Sequence, residues 1–171
     1  VTPNAQEVAS GIVNGYNSGI HSFTIIGSYG TGKSCFLLAL EKDLQSKGQH
    51  HLINPQTLSS CKKYEVLKIV GDYKDLASLM RNKLAIDGTS DNVLDELRNR
   101  YNQAKKRGSF LIIFIDEFGK VLEHAAKNDP EQELYFMQKL AEFVNVPNRQ
   151  MLLVTTLHQN FSAYARKLSI V

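Results

Sequence analysis

A short β-rich run, Ser22–Ile26, passes into Gly27-Ser28-Tyr29-Gly30-Thr31-Gly32-Lys33-Ser34, and an amphipathic helix follows. No other stretch restricts the fold so much. The segment satisfies GxxxxGK[ST] at every fixed position, a match expected by chance in roughly one chain in a hundred or less at this length. Glycines let backbone N–H groups turn inward unobstructed, and the following helix aims its positive end at the same spot. That cradle suits a polyphosphate. Lys33 can extend a point charge to the β- and γ-phosphates, and the Ser34 hydroxyl can ligate Mg²⁺. A plain glycine-rich turn would need neither residue. Cys35 is counted with the loop for binding; its position at a helix start could lower its pKa, but the expected role of its side chain is that of a small packed residue.

The rest of the chain alternates helix and strand. Pro3 suits a first helical position with Thr2 as cap, and Ala5, Val8, Ile12 and Tyr16 recur at helical spacing through residues 2–18, although Gly11 and Gly15 weaken that helix. A helix is expected over 35–47, stopped by Gly48. Residues 49–63 suggest a loop or an insertion. A strand is expected over 64–70 and helices over 74–86 and 91–106. Residues 109–115 (SFLIIFI) are apolar at both alternating positions, the pattern of a fully buried parallel strand. Helices are expected over 120–127 and from Asp129-Pro130 to about Val144, then a second buried strand over 150–157. Phe161 onward can begin another helix. This order predicts an α/β fold, a three-layer αβα sandwich with a mostly parallel sheet.

Composition narrows the function classes. The 171 residues carry a formal charge of +3, too small by itself to announce a nucleic-acid binder. The longest strictly apolar run, 110–115, is far short of the roughly 20 residues of a membrane helix. No segment resembles a signal peptide. The 2 cysteines, Cys35 and Cys61, form no CxxC or Cys/His cluster, which fits a reducing, cytoplasmic setting and gives no support to a zinc site. His50-His51 lack further ligands and read as loop. The chain starts at Val1 and breaks off in an unfinished amphipathic stretch, so a domain from a longer protein is expected.

The buried strand runs straight into Asp116-Glu117, at the carboxyl end where α/β sheets bind ligands. Asp116 would hold Mg²⁺ through water, and Glu117 would polarise the attacking water as general base. Read alone, both could equally be solvated residues opening a turn; the phosphate loop favours the functional reading.

GSYGTGKS followed by FLIIFIDE resembles Walker A and Walker B of the P-loop NTPases. The glutamate directly after the Walker B aspartate is similar to the additional-strand, catalytic-glutamate division, which includes AAA+, STAND and RecA-like ATPases. The resemblance covers residues 1 to about 160 and implies ATP and Mg²⁺ as cofactors and ATP hydrolysis as the activity. It also implies that the 150–157 strand lies between the other two and ends in a polar sensor, for which Thr156 and His158 are rivals and Thr155 a third candidate. It puts the N-terminal helix, around residues 5–12, where AAA+ proteins often touch adenine. DEFGKVLEHAA at 116–126, with LHQNF at 157–161, also looks like large multidomain ATPases of bacterial anti-phage systems such as BREX. The chain departs from the AAA+ pattern in having only Arg166 after the sensor strand, no room for a helical lid and no fifth core strand. It is expected to be a single P-loop ATPase core over 1–171, with other domains, further copies or nucleic acid as partners through a larger protein, and no membrane.

Rival readings remain. Asp116-Glu117-Phe118-Gly119 satisfies the D-x-x-G signature of GTPases, but no NKxD follows to read guanine; Asn82-Lys83-Leu84-Ala85 lacks the aspartate. No LSGGQ-like segment supports an ABC-type ATPase. A small-molecule kinase would use the same loop, though Asp-Glu reads more naturally as a water-activating pair. A nucleotide-dependent signalling switch is a different class again. The basic run Lys105-Lys106-Arg107, with Arg98 and Arg100, could touch nucleic-acid phosphates, but a helix C-terminus complementing its own dipole is the favoured reading, and Lys62-Lys63 is similarly ambiguous.

Overall fold

The structure, a computed structural model, describes residues 3–27, 30, 32–87 and 90–158. Ser28, Tyr29, Thr31, Thr2, Arg166 and the helix expected from Phe161 lie outside the described residues. The elements run α1 Pro3–Asn17, β1 Ser22–Ile26, α2 Lys33–Gln45, α3 Pro55–Leu58, β2 Lys63–Val70, α4 Leu76–Leu84, α5 Ser90–Lys106, β3 Ser109–Asp116, α6 Phe118–Lys127, α7 Pro130–Val144 and β4 Met151–Leu157. The four strands form one sheet in the order β1-β4-β3-β2, and every neighbouring pair is parallel.

The alternation on β3 explains the layers. Successive strand side chains point to opposite faces. Phe110, Ile112 and Phe114 enter a core with Ile12, Leu37 and Leu40 of α1 and α2. Leu111, Ile113 and Ile115 enter a second core with Met80, Leu97 and Leu140 of α4, α5 and α7. All six are essentially buried, each contributing about 1.5–3 kcal/mol by leaving water. A helical layer therefore covers each face, and the expected sandwich is the observed one. Gly15 does not break α1; it makes room for the Phe23 ring of β1, which a Cβ would strike.

Residues 49–63 are more organised than a loop or an insertion. Asp43 of α2 is wholly buried. Its carboxylate accepts the backbone N–H groups of His50 at 2.7 Å, Leu52 at 2.9 Å and Ile53 at 2.7 Å. Leu52, Ile53 and Leu58 are thereby folded into the α1–α2 core. Asn54 caps α3 through the Gln56 N–H, with Pro55 in its first turn. Replacing Asp43 by Ala would strand the Leu52 and Ile53 donors in the interior and leave the part-buried His50 donor without its acceptor; a loss of about 3–5 kcal/mol in unfolding free energy is expected by urea titration. A loss below about 1 kcal/mol would show that water replaces the carboxylate.

Candidate active site

All four strands end at the same edge, and the loop after β1 meets the ends of β3 and β4 there. Gly27 donates its N–H to the Leu157 carbonyl at 3.0 Å, tying the start of the loop to β4. Gly30 (φ 77°) and Gly32 (φ 84°) take left-handed backbone conformations that side chains disfavour, and Gly32 caps α2. The helix runs Lys33–Gln45, so Lys33 and Ser34 occupy its first turn. The Lys33 ammonium donates to the Gly27 carbonyl, folding the side chain back across the loop.

Asp116 is the hub. Its Oδ2 accepts the Ser34 hydroxyl at 2.5 Å. Its Oδ1 accepts the Thr156 hydroxyl and the Glu117 N–H, the latter at 3.0 Å. Thr156 in turn accepts the Glu117 N–H at 2.9 Å. Its hydroxyl thus ties the end of β4 to the turn after β3. Glu117 takes a left-handed conformation (φ 52°, ψ 41°) and precedes α6, which starts at Phe118, earlier than expected. Its Oε2 lies 3.1 Å from the Lys120 ammonium. That hydrogen bond and the carboxylate's charge, with smaller help from Tyr73 and Asp72, raise the Lys120 pKa above the ordinary lysine value.

A cavity of about 240 Å³ joins Gly30, Gly32, Lys33, Ser34, Cys35, Asp116, Glu117, Lys120, Thr156 and His158. The described residues expected at the site converge here, except Gly27, which lines the neighbouring cavity, and Thr155, whose hydroxyl meets that of Thr24 on β1 at 3.0 Å. Beside it lies a second, more apolar cavity of about 540 Å³, lined by Asn4, Ala5 and Val8 of α1 and by Ile25, Ile26, Phe36, Ala39 and Leu52. The two share Gly32, Lys33 and Cys35. Cys35 is exposed between them, not packed as expected, because it lies on the solvent side of the first turn of α2 while Leu37 and Leu40 face the core. Lys120 is a site residue that the motifs did not flag; its spacing of three from Glu117 on a helix was the available signal.

Groups read elsewhere as candidates are engaged otherwise. Arg107 makes a two-pronged contact with Glu65, Arg100 pairs with Glu96 and Arg98 pairs with Asp95. His50 and His51 lie in the loop pinned by Asp43. Among the described residues no cluster of three or more His, Cys, Asp or Glu could cage a metal, and no helix is long and apolar enough to cross a membrane.

A parallel sheet with a glycine loop at one strand end and adjoining carboxylates at the next but one defines a P-loop nucleotide-binding protein. The profile of the ATPase family associated with various cellular activities (AAA) matches residues 23–167, and the chain belongs to that family of ATPases. No curated protein matches it in sequence. Among solved structures it is similar to the Aeropyrum pernix ORC2 protein in its ADPNP-ADP complexes (TM-score 0.60, 17% identity, 95% of this chain and 43% of that one). It is also similar to PCH-2 of C. elegans (0.55, 14%, 92% and 38%) and to Cdc6p of Pyrobaculum aerophilum (0.52, 14%, 97% and 40%). These likenesses confirm the fold, and the chain spans less than half of each of those proteins.

Proposed function

We propose that the site carries out Mg²⁺-dependent hydrolysis of the β–γ bond of ATP. One observation supports this above all: Asp116 gathers a hydroxyl from the phosphate loop and another from β4, with Glu117 beside it. The loop N–H groups and Lys33 take up phosphate charge. Glu117 orients a water for in-line attack on the γ-phosphorus and accepts its proton as the bridging oxygen departs. The Thr156 hydroxyl is committed to Asp116 and Glu117, so it holds the carboxylates in place and His158 takes the sensing contact with the γ-phosphate. The apolar cavity under α1 takes the adenine.

Ser34 and Asp116 offer only hard oxygen donors, which fits Mg²⁺, an ion bound through few protein ligands together with substrate phosphates. When bound, Mg²⁺ neutralises charge on the phosphate oxygens. Removing it with EDTA is expected to lower ATP turnover at least about a hundredfold, and Ser34→Ala to raise the Mg²⁺ concentration needed for half-maximal rate about tenfold. Turnover indifferent to chelation would sink this assignment. Binding of GTP as tight as ATP would sink the adenine reading.

The chain is read as one ATPase core of a larger, cytoplasmic protein. The likeness of residues 116–126 to anti-phage ATPases supports a role in powering or switching a defence assembly, with further copies or nucleic acid engaged through the remainder. Stimulation of the intact protein by duplex DNA distinguishes a DNA-associated motor from a signalling switch, which duplex DNA would leave unstimulated.

A further inference from the structure

We infer that Gly71 is a positioning residue for hydrolysis, one that aims Glu117 by having no side chain. The inference rests on the reading of Glu117 as the residue that orients water. Gly71 follows the last residue of β2, where Val70 is paired with Asp116. It donates its N–H to the Asp116 carbonyl at 2.7 Å. Its φ lies outside the left-handed region, so backbone freedom does not explain a glycine here. Space does. A Cβ at this position would overlap the Glu117 carbonyl oxygen, stand 2.8 Å from the Glu117 carbonyl carbon and 3.1 Å from the Asp116 oxygen. These are backbone atoms and cannot swing aside.

The peptide that Gly71 abuts is the one under strain. A non-glycine residue in the left-handed region persists only where its surroundings hold it. Glu117 is held from three sides. Its N–H is shared by Asp116 and Thr156. Its carbonyl accepts the Lys120 N–H at 3.2 Å and faces Gly71. Its carboxylate meets the Lys120 ammonium at 3.1 Å. A methyl group at 71 pushes on the carbonyl, turns the peptide and swings the carboxylate away from the water it must orient. Gly71 lines neither cavity, so the nucleotide keeps its own contacts.

The test is Gly71→Ala in the intact protein, with turnover expressed per ADP-binding site. The kcat for ATP is expected to fall about a hundredfold while the Kd for ADP stays within about twofold. In a Glu117→Gln background the same change should add no further loss, because a residue acting only through Glu117 has nothing left to misplace. Full additivity in that background overturns the inference. So does a Gly71→Ala protein that loses ADP binding along with turnover, since the glycine then serves packing. Normal turnover in Gly71→Ala beside a dead Glu117→Gln removes Gly71 and spares Glu117, whereas normal turnover in Glu117→Gln removes the reading on which both stand.

Discussion

Glu117→Gln is expected to bind ATP as the parent does and to lower turnover by about 10²–10⁴-fold. Glutamine keeps the length and the carbonyl oxygen that faces Lys120, but it cannot accept a proton. The carboxylate is 44% exposed and, among the described residues, pairs with Lys120, itself 38% exposed, so the folded state should lose no more than about 1 kcal/mol. Glu117 does not line the apolar cavity, and the change keeps the side chain's size beside the described loop residues. ATP should therefore accumulate unhydrolysed on the protein, visible as bound triphosphate after gel filtration and acid quench. Retained turnover would mean that a different group manages the water. His158, which lines the same cavity, would then be the next residue to replace.

The parts of this site differ in how far the sequence announces them. The loop and Asp116-Glu117 are local patterns: short apolar strands followed by residue types that phosphate chemistry requires. The buried strand that carries the acidic pair was equally legible, since Phe110 through Ile115 are apolar at both alternating positions and fill two cores. The placement of β4 between β1 and β3 was not in the periodicity; it came from the family resemblance, and the observed strand order agrees with it. What escaped was long-range. Asp43 lies in an amphipathic helix where no local pattern marks it, yet the backbone of His50, Leu52 and Ile53 closes over it. Gly71 lies in an unpatterned turn, and its need for a bare backbone arises from a residue 46 positions away that approaches it only in the folded sheet. Helix starts also shifted. α6 opens at Phe118, directly after the left-handed Glu117, whose side chain supplies no cap, and no composition rule favours glutamate there.

Lys33→Ala should have the other large effect, and it acts at the step before chemistry. The ammonium is the loop's only point charge among its described residues, and it donates to the Gly27 carbonyl. That contact keeps the lysine inside the cradle, where a triphosphate tail would compete for it with far more negative charge. Removing the ammonium leaves the loop with backbone N–H groups in place of a full charge, while the metal ion and His158 act on the phosphates from elsewhere in the cavity. Truncating one partner of a close charge pair costs about 2–5 kcal/mol, or roughly 30-fold to several thousandfold in affinity. Calorimetric titration with ATP should thus show binding weakened at least thirtyfold or lost. Lys33→Arg should not restore it, because the planar guanidinium cannot occupy the compact position of an ammonium against one carbonyl. Melting temperature separates this from unfolding: Lys33 is part-exposed and belongs to neither core, so the variant should melt within a few degrees of the parent. Undiminished ATP affinity in a folded Lys33→Ala protein would show that the cradle holds its ligand by backbone alone, and the charge-neutralising role assigned to Lys33 would fall.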